Sequence, residues 1–180
     1  YQATFYYLDT TASSRYAVPA STKPVIELWY VGIASGTQRV NIRPNRQDRI
    51  AISSGAGQAL EAGTTSQAFT IDTRDYYGNP SAVRVCEDIN GVVGFYIEAD
   101  SLGEVLVSTP ADGAFRPSPG YAYIEVNKSS TDFYLIDTLI TQTTHEFRVS
   151  GIHANNSTWA PAVASYTVQP GPPASLGWAT

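Results

Sequence analysis

The sequence predicts an all-β fold, organised as a tandem array of β-sandwiches with one complete domain and partial domains on either side. Three observations carry that prediction. The first is composition: the 180 residues include 12 Tyr, 6 Phe and 3 Trp but no Met, 43% are hydrophobic, and only 15% are charged. Val, Ile, Thr and aromatic side chains suit a pleated, half-buried surface, and no window longer than about ten residues has helical spacing. The second is rhythm. Short alternating runs recur along the chain, separated by turn signals built from its 14 Gly and 11 Pro, as in a sandwich read in one dimension. The third is a repeat. FYYLDT at 5–10 returns as FYLIDT at 133–138, identical at four of six positions. IELWYVGI (26–33) and RVNIRP (39–44) follow the first copy; HEFRVSGI (145–152) and YTVQP (166–170) follow the second. The order is the same, Gly-Ile closes the middle element, and Pro closes the last. Self-similarity of this kind points to an array of structural units.

Taken in order, residues 1–44 hold three strand-like runs, at 4–8, 25–32 and 38–43. Three strands cannot cover both faces of their own core. This segment is therefore expected to be the back half of a domain, unless another chain adds the missing strands. A polar joint at 44–48 leads into a complete domain, 48–169. A first strand is expected at 49–52 and a turn at 60–64. QAFTIDTR (67–74) is next, with Phe69, Ile71 and Thr73 on one face and Ala68, Thr70, Asp72 and Arg74 on the other. Gly78-Asn79-Pro80 is a turn, because Gly supplies positive φ and Pro ends ladder pairing. Strands follow at 82–87, 92–99 and 104–109, the first two joined by a tight Asn90-Gly91 turn. Pro-rich breaks at 110–120 precede a strand at 121–126, in which Tyr121, Tyr123 and Glu125 oppose Ala122, Ile124 and Val126. The last strands are expected at 133–137, 146–149 and 163–168. Residues 170–180 read as a Pro-rich linker and the opening strand of a following domain. Linkers of this composition are stiff, so neighbouring units keep a set angle.

Several function classes are excluded by charge. The net charge is −5 and the pI about 4.9, whereas phosphate backbones and anionic membranes attract an excess of Lys and Arg. Neither nucleic acid nor a membrane surface is an expected partner. No apolar run approaches the roughly 20 residues of a membrane span. The single cysteine, Cys86, precludes an internal disulfide. It reads as a small apolar side chain without a chemical role.

Particular residues resemble a known family. AGTTSQAFTIDTRDYYGNPSAV (62–83) is similar to the second strand and following turn of bacterial immunoglobulin-like domains of the invasin and intimin type. That family's D-x-x-G-N-P turn matches Asp75, Gly78, Asn79 and Pro80. STPADGAFRPSPG (108–120) resembles its mid-domain segment, FYLIDT its late strand, and PPASL (172–176) the start of a further repeat; filamin-type domains share some of these features. The resemblance implies an immunoglobulin-like β-sandwich in a stacked, extracellular, non-enzymatic array at a cell surface. It brings no ligand site with it. One departure stands out: 139–162 is long for a final hairpin, which leaves the strand order there open.

Candidate chemistry is sparse. His145 and His153 lack the companions a zinc site needs and read as loop residues. No phosphate loop, nucleophile elbow or HExxH pattern occurs, and no carboxylate pair suits glycoside hydrolysis. No enzyme activity and no obligatory cofactor are expected. Calcium is the one metal with candidate ligands, Asp72, Asp75 and Asp137, given that it takes six to eight oxygens. The competing reading is that Asp75 and Asp137 bond backbone amides at strand ends. Asn127, Asn155 and Asn156 stand in glycosylation acceptor patterns. Trp159, in the polar stretch NNSTWAP, is the candidate for stacking on a sugar ring; Trp29, Tyr30 and Trp178 read more simply as core or joint packing. Together these features predict a structural repeat of an extracellular surface or filament protein: a surface layer, adhesin stalk or fibre subunit. Its partners would be neighbouring domains or identical subunits. The alternatives are a carbohydrate- or receptor-binding module that meets surface glycans, and an accessory domain of a secreted hydrolase.

Overall fold

Alternation of apolar and polar side chains makes a strand two-faced, and the structure uses it throughout. In a computed structural model of the chain, which describes residues 25–30, 33–39, 43–84, 92–110, 113–153 and 156–171, all regular structure among those residues is β. The strands are β1 (Val25–Tyr30), β2 (Ile33–Arg39), β3 (Gln47–Ser54), β4 (Ala59–Glu61), β5 (Phe69–Asp75), β6 (Val92–Ala99), β7 (Val105–Ser108), β8 (Arg116–Pro117), β9 (Gly120–Glu125), β10 (Ser130–Asp137), β11 (Thr141–Gly151) and β12 (Ala162–Gln169). β1 and β2 form an antiparallel hairpin, a two-stranded sheet of its own. The remaining strands form two five-stranded sheets, ordered β3-β5-β10-β7-β8 and β4-β12-β11-β6-β9. No helix long and apolar enough to cross a membrane occurs among the described residues.

The two sheets face each other across one apolar layer. β5 buries Phe69, Ile71, Thr73 and Asp75, and β9 buries Ala122 and Ile124 while Tyr121, Tyr123 and Glu125 face out. Both patterns follow the alternation in the sequence. At the centre, Phe69 of β5 stacks on Phe133 of β10, with centroids 5.2 Å apart. Phe147, from β11 of the opposite sheet, packs nearly perpendicular to both rings, with centroids 4.9 and 5.3 Å away. Such T-shaped contacts set the positive edge of one ring against the negative face of another. This three-ring cluster joins the sheets.

Several boundaries differ from expectation. The turn expected at 60–64 begins two residues later, because Leu60 belongs to β4, which pairs in parallel with β12 (Val168 opposite Leu60). In the region of the strand expected at 38–43, β2 starts five residues earlier and runs Ile33–Arg39, and residues 40–42 lie outside the described ones. The long stretch 139–162 opens with β11, eleven residues long, paired with β12 on one side and β6 on the other. The run expected at 146–149 is only the middle of that strand. Of the strand expected at 82–87, residues 82–84 carry no regular structure and 85–87 lie outside the described residues; Val83 is buried, held by bonds between its N–H and Lys128 O and between Asn127 N–H and its own carbonyl, both 2.9 Å. Cys86, the Asn90-Gly91 turn, the first repeat copy at 5–10 and the segment from 172 onward lie outside the described residues.

Candidate functional site

The turn after β5 is built around one carboxylate. Gly78 has φ +85°, a conformation a side chain would strain, and it lets the chain fold back so that Asp75 N–H donates to Asn79 O at 2.9 Å. The Asp75 side chain is 1% exposed and points into that fold. Its Oδ1 accepts from Tyr77 N–H (3.0 Å) and Asn79 N–H (2.9 Å), and Asn79 Nδ2 donates to Oδ2 at 3.1 Å. The fourth donor comes from far away in sequence: Asn45 N–H donates to Oδ2 at 2.9 Å. Burial alone would raise the Asp75 pKa. The hydrogen bonds from Asn45, Asn79 and Tyr77 together outweigh it and hold the carboxyl below its ordinary value of 3.8.

The same turn grips the chain on both sides of Asn45. Ser81 Oγ donates to Asn45 O at 2.6 Å, and Arg84 Nη2 donates to Pro44 O at 3.2 Å. The buried Gln47 amide donates to Ser81 O at 3.2 Å and also to Ala82 O. The joint at 44–47 is therefore bonded at Pro44, Asn45 and Gln47 into the end of the sandwich rather than swinging free of it. Beside this clamp two aromatic side chains face solvent. Tyr76 is 65% and Tyr77 50% exposed. They meet edge to face at 5.3 Å, and the Arg49 guanidinium lies 5.7 Å from the Tyr76 ring, within cation–π range.

Asp137 ends β10 in a different setting. Its side chain is fully buried; Oδ1 accepts from Leu139 N–H and Oδ2 from the Tyr166 hydroxyl, each at 2.9 Å. Burial, then the bond to the Asp137 carboxylate, push the Tyr166 phenol well above its ordinary pKa, so it stays a donor. Tyr166→Phe is expected to cost about 1.5–3 kcal/mol, because it takes a donor from a buried charge. Urea denaturation measures it, and a loss below about 0.5 kcal/mol would mean the carboxylate is satisfied without the phenol.

The three calcium candidates do not converge. Asp72 faces the outer side of β5, where Arg74 Nη2 meets it at 3.2 Å, while Asp75 faces inward. Phe69 lies opposite Phe133, with Asp75 and Asp137 beyond that pair in opposite directions. At ~3.3 Å per residue the two carboxylates stand about 30 Å apart. Among the described residues no three His, Cys, Asp or Glu side chains group closely enough to hold a metal. Asp75 and Asp137 both take the competing role, bonding amides at strand ends.

The other candidates fall as follows. Trp159 is half-buried, not exposed: its ring packs on the core beside Phe95, centroids 6.5 Å apart. Asn156 is buried, its amide donating to Gly94 O and its carbonyl accepting from His153 N–H, both at 2.8 Å. A glycan cannot be attached there without breaking the loop, whereas Asn127 is exposed on the turn after β9. Asn155 lies outside the described residues, as does Trp178. His145 is no loop residue; it is buried in β11, its ring 5.5 Å from that of Tyr166, and only His153 is exposed. The hold of Asp75 on Asn45 was not legible in the sequence, although the D-x-x-G-N-P spacing marked the turn that makes it.

No family model matches the chain, and no curated protein matches it. Among solved structures, a conjugative transposon lipoprotein from Bacteroides eggerthii aligns with 64% of this chain and 92% of its own, at 10% identity and a TM-score of 0.39. A likeness that slight has no bearing on what this chain does.

Proposed function

We propose that the chain is a non-enzymatic spacer from an extracellular or cell-surface array of immunoglobulin-like units, working through fixed end-to-end geometry. The observation that carries this reading is the clamp at 44–47. A module whose task is to hold its neighbour at a set angle needs its linker bonded into the fold, and here Asp75, Ser81 and Arg84 do that. The exposed Tyr76–Tyr77 pair beside the clamp offers the adjoining unit an apolar contact. The strand order β3-β5-β10-β7 opposite β12-β11-β6 supports the immunoglobulin-like assignment, since it follows the ABED and GFC sheets of that fold. β9 departs from it, adding to the β6 edge only after the chain has passed through β7 and β8. The β1–β2 hairpin, followed by Pro44, parallels the β11–β12 pair, followed by Pro170.

Small-angle scattering from fusions of two, three and four copies of the chain tests the reading. Stiff coupling makes the maximum dimension grow by a constant increment per copy. Growth closer to the square root of copy number, as for units on flexible linkers, would overturn it.

A further inference from the structure

The outer face of the second sheet carries aromatic side chains that neither the core nor the clamp uses. Register places Tyr121 opposite Tyr96 and Tyr123 opposite Gly94. Continuing across the sheet, Tyr96 faces Ser150 and Glu98 faces Arg148. Tyr121 and Tyr96 lie with centroids 5.0 Å apart, and Tyr121 and Tyr123 are each 45% exposed. Gly94 decides how the third ring lies. A Cβ at that position would come within 3.0 Å of Tyr123 Cε1, 3.0 Å of His153 Nε2 and 3.1 Å of Ile152 Cδ1. The Tyr123 ring therefore leans over the bare backbone of β6 at Gly94, a known way for an aromatic to cover a strand glycine, and still leaves 45% of the residue exposed.

We propose that this face, centred on Tyr96, Tyr121 and Tyr123, binds a neutral glycan. A pyranose has an apolar C–H face suited to lie on an exposed ring face, and a rim of hydroxyls that need partners. The exposed side chains at the margin supply both kinds: Glu98 accepts, Arg148 donates, and His153 can do either. The phenols add donors, and the charge and hydrogen bond of Tyr121 raise the Tyr96 pKa above its ordinary value. The margin mixes charges, Glu98 and Glu125 with Arg148 and Lys128, the last on Glu125 at 2.7 Å, and the chain carries −5 overall, which disfavours a polyanionic sugar. This site is separate from Trp159 and does not rest on the array reading.

The test is affinity electrophoresis of the full chain through gels containing soluble β-glucan, xylan, mannan or galactomannan, with pull-down on cellulose and chitin. At least one polysaccharide is expected to retain the wild type, and Tyr121→Ala/Tyr123→Ala is expected to weaken retention at least about ten-fold. Tyr76→Ala/Tyr77→Ala, at the other aromatic patch, is expected to leave it unchanged. Tyr121→Gln, which removes one exposed ring, is expected to give a partial loss and reports if the double variant does not fold. No retention by any of the six, or retention untouched by the Tyr121 and Tyr123 changes, overturns the proposal.

Discussion

Phe147→Ala is expected to lower the free energy of unfolding by about 3–5 kcal/mol, the range for deleting a buried aromatic side chain. Phe147 is 1% exposed and is the ring through which β11 reaches Phe69 and Phe133 in the opposite sheet. Removing it takes apolar area out of burial and leaves a void that two strands of one sheet and one of the other would have to collapse to fill. Strands locked in ladders on both sides, as β11 is with β6 and β12, cannot shift readily, so the loss should sit toward the upper end. Domains of this kind are stable by about 5–15 kcal/mol in total, so the variant approaches unfolding. Urea denaturation of wild type and variant measures the effect. A loss under about 1 kcal/mol would show that the rings do not carry the contact between the sheets.

Asp75→Ala is expected to cost about 2–4 kcal/mol and to free the joint. Hydrogen bonds to a charged group are worth about 1.5–3 kcal/mol each, but water can reach some of the donors once the carboxylate is gone, so the bonds do not add in full. The structural signature is more specific than the energy. Amide exchange at Asn45 should be slow in the wild type and fast in the variant, while Phe133 and Phe147 amides keep their protection. Equal exchange at Asn45 in both would remove the clamp. The loss also depends on pH. Because the Asp75 pKa is held down in the folded state, its contribution is full above the ordinary carboxylate range and fades as pH falls below about 4. The stability gap between wild type and Asp75→Ala should therefore narrow in acid. A gap that stayed constant from pH 7 to about pH 2 would contradict the assignment.

The two residues show different degrees of legibility. That Phe69 and Phe147 point inward follows from period-two alternation along β5 and β11, whereas Phe133 stands in FYLID, apolar on both faces, where alternation does not choose. That the three meet in one cluster does not follow either, because alternation fixes a side chain's face and not its neighbour. Asp75 is similar: its spacing to Gly78 and Asn79 marks a turn, but Asn45 is 30 residues earlier. The repeat matches Asp137 to Asp9 in sequence, and Asp9 lies outside the described residues.

β4 was missed because three residues of parallel pairing with β12, over a hundred positions away, leave no local pattern. Polar neighbours make His145 read as a loop residue and Asn156 as a glycan acceptor, yet both are buried. His145 is buried because β11 runs further than its apolar core, and Asn156 because its amide closes the loop onto Gly94 O. Along each strand, the sequence by itself determined the all-β class, the inward face of β5 and β9, and the position of the Gly78 turn. These depend on the backbone's two-residue period and on which residues tolerate positive φ, and both are local properties. Only the tertiary structure decided which strands are neighbours, which carboxylate holds the joint and which tyrosines share a surface, because pairing across a sheet brings together residues whose separation in sequence carries no signal of their contact.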